Sequence, residues 1–193
     1  MLRFLRDALI TVILLGVAIA IVIYSRVGGG GLAADAQPGA LERSLAPRLL
    51  RLSIPADADR QRSPLMGDAN AWRSAVDHYE DHCATCHGRD GRGETEMGRN
   101  MYPKVPDLAD ARIQSLSDGA LFYIIQNGVR WTGMPAWKHE HSPEETWRLV
   151  AFVRRTPSFT PEEIESLKAA GESEAEHPAD HEHSHPTAPL VPR

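Results

Sequence analysis

The stretch Cys83-Ala84-Thr85-Cys86-His87 decides how the rest of this chain is read, and it uses both of the chain's cysteines. Two thiols three positions apart, with an imidazole next to the second, suit covalent attachment of haem. The thiols add to the two vinyl groups and the histidine is held under the iron. Two other chemistries use similar residues. A thioredoxin-like redox pair normally follows a strand and opens a helix, whereas here a helical pattern precedes Cys83 and a Gly-rich loop follows His87. A zinc site needs further ligands; His78 and His82 lie one turn apart upstream, but without the usual zinc spacing. Two cysteines are too few for a disulfide framework.

Outward from this stretch the pattern is helical. Asn70 is a candidate cap for a helix to His82, with Trp72, Ala75, Val76 and Tyr79 on one face. Gly88 to Pro106 reads as loop. Ser117-Asp118 caps a second helix carrying Leu121, Phe122, Ile124 and Ile125, and Gly128 ends it. Ser142-Pro143-Glu144-Glu145 opens a third, with a capping side chain, proline in the first turn and acidic residues at the positive end of the dipole. Its buried stripe is Trp147, Leu149, Val150, Phe152 and Val153, and Pro157 follows its end. Thr160 to Ala170 is expected to form a last short helix. Beyond Gly171 the chain is acidic, Pro-containing and His-rich, the composition of a disordered tail.

A six-coordinate haem needs a second ligand, and Gly133-Met134-Pro135 lies 47 residues after His87. Lone methionines are usually core filler. This one sits in the loop Trp131-Thr132-Gly133-Met134-Pro135-Ala136-Trp137 between two helices, where rigid neighbours can aim a thioether and Trp131 and Trp137 can wall the haem from water. Over about residues 70–157 the chain resembles the class I c-type cytochromes. The shared features are Cys83-Ala-Thr-Cys86-His87-Gly88, the Gly91/Gly93 loop, Gly128, Gly133-Met134-Pro135 and the closing helix. The resemblance implies an all-α cytochrome c fold, three to four short helices around one covalent haem c. It implies thioethers at Cys83 and Cys86 and axial iron ligands at His87 and Met134. In that family a proline carbonyl accepts the hydrogen bond of the proximal histidine's Nδ1–H; Pro103 and Pro106 both qualify. The family's first helix crosses its last, which would set Ala75 and Tyr79 against Leu149 and Phe152. Met97, Met101, His139 and His141 are competing distal ligands.

Ala8 to Tyr24 is an uncharged run of 17 residues, bounded by Arg3, Arg6 and Asp7 before and Arg26 after. As a helix it spans roughly 25 Å, near the lower limit for crossing a bilayer. A cleaved signal peptide is the alternative, with Ala34-Asp35-Ala36 as its site, though that site lies far beyond the apolar run. The expected organisation is an anchor over 1–27, a flexible linker over 28–68 with room for a short helix resting on lipid or a partner, a cytochrome domain over 69–158 and a tail over 159–193. Pro47 is expected to break any helix over Leu41–Ile54. As coil, the linker would reach about 35 Å.

The net charge of -5 argues against nucleic acid. That acidity sits mainly in residues 161–193, with 2 basic against 8 acidic residues, while 68–160 carries 11 against 13. The tail's His177, His181, His183 and His185 suit copper, zinc or nickel, against a simpler reading as solvated chain. Leu190-Val191-Pro192-Arg193 matches the left half of a thrombin site and reads as either an expression scar or native tail.

The expected function is single-electron transfer, without a small-molecule substrate, between redox proteins, a donor and an acceptor at membrane complexes. The haem domain is expected outside the cytoplasm and the anchor in the inner membrane. A free tethered carrier is the main expectation, and a permanent haem subunit of a larger dehydrogenase or oxidase the alternative.

Overall fold

The computed structural model describes residues 1–167 except 30, 32, 34 and 35. The Ala34-Asp35-Ala36 site falls partly outside the described residues; the His-rich tail and Leu190–Arg193 lie wholly outside. Every described element is helical. Helix α1 (Leu2–Gly28) is followed by α2 (Ala40–Ser53) and the single turn α3 (Ala56–Asp59). A 3-10 helix (Ala71–Ala75) leads into α4 (Val76–His82), and α5 (Ala84–His87) carries the second cysteine and the histidine. The single turns α6 (Glu96–Arg99) and α7 (Ala111–Gln114) precede α8 (Asp118–Asn127) and α9 (Pro143–Arg155). After a 3-10 turn (Thr156–Ser158) a last helix, α10, occupies 161–167.

Helix α1 outruns its uncharged core at both ends. Its 27 residues extend about 40 Å, more than the roughly 30 Å of a hydrocarbon core, and it buries none of its apolar surface in the protein. It is long and apolar enough to cross a membrane.

The core forms where the first and last helices of the domain cross. Tyr79 stacks on Phe152 with ring centroids 3.9 Å apart, and Trp72 meets Phe152 and Phe159 edge-on. Ala75, Leu149 and Val150 are fully buried between them, and Phe122 of α8 stacks on Trp147 of α9 at 4.3 Å. The five residues read as the buried stripe of the closing helix are all buried. Phe152 has no exposed surface, so Phe152→Ala is expected to cost about 3–5 kcal/mol in transfer and cavity energy. Denaturant unfolding measures this, with the exposed Leu41→Ala as a control that leaves the midpoint in place.

Local signals act where they were expected. Ser117 accepts from Ala120 N–H at 3.0 Å, and Ser142 and Glu145 close a full capping box on α9. Gly128 ends α8 at φ 64°. Thr160 and Glu163 cap α10 reciprocally, and Arg155 grips both oxygens of Glu163 at 2.9 Å. Arg154 of α9 donates to Asp118 at 2.8 Å and to the Gln114 carbonyl at 2.8 Å, tying α7 and α8 to the closing helix.

Three expectations change. Asn70 does not cap through its side chain, which accepts from Arg73 instead. The chain from Ala71 to Ala75 winds as a 3-10 turn, which presses Trp72 and Ala75 into α9.

The Pro47 expectation also fails, and within the expected linker Ala40–Ser53 and Ala56–Asp59 are helical. Pro47 lies inside α2, although it removes one helical hydrogen bond, a change that costs about 3 kcal/mol in a free helix. α2 buries no residue, and two exposed side-chain hydrogen bonds link it to the domain: Tyr102 donates to Glu42 at 2.6 Å, and Arg51 donates to Ser115 at 3.0 Å. Asp59 accepts from Ser117 at 2.6 Å, and Ala58 is buried against α8.

Candidate functional site

Cys83 precedes α5 and Cys86 lies within it, three positions on, so both thiols lie on one side of a single turn with His87 at its end. The turn is held by backbone bonds from His87 N–H to Cys83 O at 2.8 Å and from Gly88 N–H to Ala84 O at 2.8 Å. Gly88 ends it at φ 76°, and its carbonyl accepts the Tyr79 hydroxyl at 2.7 Å. The Tyr79 ring that builds the core thus also fixes the exit from the attachment turn. Burial pushes the Tyr79 phenol well above its ordinary range, so it stays a donor.

The loop after His87 folds back against it. Gly93 N–H donates to the His87 carbonyl at 2.6 Å, and Thr95 donates its hydroxyl to Cys86 O at 3.1 Å. Gly93, at φ 72°, has no room for a side chain, since a Cβ would sit 2.7 Å from the Val105 carbonyl. That close approach brings the Val105–Pro106 backbone beside His87.

His87 Nδ1 is buried without a well-formed hydrogen bond. Burial lowers the imidazole's pKa, and the Pro106 backbone opposes the shift. Both prolines are exposed, and it is the Pro106 backbone that neighbours the histidine. Burial, with Cys86 nearby, pushes the Cys83 thiol up to about 12.

Both cysteines are free and half-buried. Two free thiols, a buried imidazole and an orphaned Nδ1 beside a carbonyl fit a covalently held haem whose iron would bind the other imidazole nitrogen. The single Cys-x-x-Cys-His turn provides one haem c attachment site.

Met134 is half-buried in a loop closed on itself. Val129 N–H donates to Met134 O at 3.1 Å, and the Thr132 hydroxyl accepts from Met134 N–H at 3.0 Å while donating to Val129 O at 2.7 Å. Gly128 lies under this loop, where a Cβ would come within 2.6 Å of the Met134 and Pro135 carbonyls. The end of α8 and the methionine loop are therefore one rigid unit.

The two tryptophans expected to wall the site part company. Trp131, in the left-handed region at φ 61°, is 90% exposed. Trp137 instead stacks on His141, 4.8 Å away and nearly parallel. Of the competing distal ligands, Met97 and His139 are exposed, and Met101 lies against Gly133, its sulfur where a Cβ would otherwise sit. His141 is buried beside His78 and His82, a cluster that sequence reasoning did not assemble. The only signal was the one-turn spacing of the first two; the third lies 59 residues after His82.

Residues 70–153, from the start of the 3-10 turn to the end of the buried stripe, match the family described as cytochrome c oxidase, cbb3-type, subunit III. The match takes in the attachment turn, the methionine loop and most of α9.

Among curated relatives, the cbb3-type cytochrome c oxidase subunit FixP of Rhizobium meliloti (strain 1021) is 37% identical over 76 residues, 39% of this chain and 24% of its own. FixP of Azorhizobium caulinodans is 30% identical over 95 residues, 45% of this chain and 28% of its own. FixP of Rhizobium etli is 35% identical over 79 residues, 39% of this chain and 24% of its own. The chain thus spans about a quarter of the length of the relatives it matches.

Proposed function

We propose that this protein is a membrane-anchored haem c subunit that passes single electrons within a cbb3-type cytochrome c oxidase. The match of residues 70–153 to subunit III of that oxidase carries the reading, because it coincides with the segment that holds the attachment turn and the methionine loop.

In this reading Cys83 and Cys86 would hold the haem by thioether bonds, and His87 and Met134 would be the ligands of its iron. The Pro106 carbonyl accepts the His87 Nδ1–H and orients the ring. The bound haem supplies one-electron chemistry, its iron alternating between ferric and ferrous. The chain's own residues hold ligand geometry: Gly93 lets Pro106 approach, the 128–135 unit holds Met134, and the Tyr79–Phe152 stack braces the attachment turn. α1 crosses the inner membrane with Arg3 and Arg6 on the cytoplasmic side, which leaves the haem domain outside.

Of the two roles expected from the sequence, the relatives favour the fixed subunit over the free carrier. The helical form of Ala40–Ser53 is compatible with the same choice. With α2 linked to the domain by two exposed side-chain hydrogen bonds, 11 residues separate it from α1, a fully extended reach of at most about 40 Å. The linker expected from the sequence would have reached several times farther when extended.

Gentle detergent extraction of native membranes tests this. The protein is expected to co-purify in equimolar ratio with the other oxidase subunits, and a form lacking residues 1–28 is expected to keep its haem spectrum and still bind the complex. Complete separation of the full chain from those subunits would return the free tethered carrier.

A further inference from the structure

Outside the attachment turn the described residues hold one other concentration of ligating side chains. His78 and His82 lie one turn apart on α4, and His141 immediately precedes the Ser142 cap of α9. One nitrogen from each ring can be chosen so that all three atoms lie within 4.8 Å of one another. Ring centroids are 4.2 Å apart for His78–His141, 5.0 Å for His78–His82 and 5.1 Å for His82–His141.

His141 is only 3% exposed, and both of its nitrogens, together with His78 Nε2, are buried with no hydrogen-bond partner. Leaving a buried polar group unpaired costs about 1–3 kcal/mol, and buried polar groups are nearly always paired. Each neutral ring offers one lone pair, so the unpaired His78 and the unpaired His141 each bring a buried acceptor to a cluster whose ligand atoms lie within 4.8 Å of one another, and a cation that accepts from all three rings would satisfy them.

The surroundings suit a cation. Glu145 interacts electrostatically with both His78 and His141, and one of its oxygens accepts the Ser142 N–H at 2.7 Å, which holds the carboxylate at the cluster's edge. The Trp137 ring stacks on His141, which holds that imidazole plane, and meets the exposed His82 at a tilt with centroids 5.2 Å apart. Burial keeps His78 and His141 neutral, the ligating form. His82 is exposed and gives an entry path.

We propose that His78, His82 and His141 form a second metal site, taking a divalent first-row cation of the zinc class, with Glu145 or water as the fourth ligand. An all-imidazole set of borderline softness suits zinc, copper or nickel rather than magnesium or calcium. Zinc–nitrogen bonds of about 2.0–2.1 Å in a tetrahedron bring donors to roughly 3.4 Å from one another, a closure that the exposed His82 side chain can supply by rotation. The site shares no residue with the attachment turn. Its ion would clamp the end of the methionine-bearing loop, through His141, onto the helix that runs into Cys83.

The test uses the full-length holoprotein and zinc chloride. His177, His181, His183 and His185 also offer imidazoles, so the reference is a variant with those four replaced by alanine. Equilibrium dialysis is expected to find one zinc per chain in that reference. X-ray absorption is expected to show three imidazole nitrogens on the metal. His82→Ala, which removes an exposed side chain, is expected to weaken binding at least about tenfold while leaving the fold intact. Zinc should raise the thermal midpoint of the reference and leave that of His82→Ala nearly unmoved. The proposal is overturned if the reference binds no zinc, or if His82→Ala and His141→Gln bind it as tightly as the reference. It is equally overturned if His141→Gln converts the haem spectrum to a five-coordinate one, which would assign His141 to the iron.

Discussion

Replacing His87 with alanine is expected to abolish stable haem retention and leave the segment from the 3-10 turn to α10 largely unfolded. His87 sits at the end of a four-residue helix that forms little stability of its own, since isolated helices shorter than about 12–15 residues are marginal in water. The buried residues around it, Tyr79, Leu108, Leu121 and Phe152 among them, make a core small for a self-sufficient fold. Iron–imidazole binding is then folding free energy as well as cofactor affinity. Haem per polypeptide, measured as the pyridine haemochrome, and helix content by far-ultraviolet dichroism report the two effects together. A variant that keeps native helix content without haem would falsify the cofactor-dependent fold, and one that keeps its haem with an unchanged spectrum would overturn His87 as the ligand.

Met134→His is expected to keep a six-coordinate low-spin haem and to lower its reduction potential by on the order of 0.2 V, a fraction of the roughly 0.8 V range that axial ligands span. Imidazole favours ferric iron more than a thioether does. The loop around position 134 should survive the change, because its closing bonds involve the backbone of Met134 and the Thr132 hydroxyl rather than the thioether. The weak ferric band near 695 nm, typical of methionine ligation, should vanish in the variant, and spectroelectrochemical titration measures the potential. An unchanged potential with the band intact would assign the native ligand to another residue, with Met101, packed against Gly133, the first to test.

Much of the architecture is written locally. Ser117, the Ser142–Glu145 capping box, Gly128 and the buried stripe of α9 act through hydrogen bonds and periodicities within a turn or two, so their residue types announce them. The attachment turn is equally local, since Cys83, Cys86 and His87 need only one helical turn to present their chemistry together. The contact of Tyr79 with Phe152 spans the domain, yet it was expected, because a family resemblance carries topology that periodicity alone does not.

What remained hidden depends on segments far apart in the chain. Pro47 argues against a continuous helix, yet α2 runs through it, and Glu42 and Arg51 pair with Tyr102 and Ser115, 60 and 64 residues away. Pro103 and Pro106 are equivalent as sequence; the choice falls to Pro106 because Gly93, lacking a side chain, admits its backbone against His87. His78 and His82 form an ordinary one-turn pair until the start of α9 delivers His141. The sequence by itself determined α8 and α9 with their caps and the attachment turn, because those energies are settled between near neighbours. Only tertiary packing decided which distant groups meet, because each such contact depends on the summed burial of elements whose individual contacts are weak.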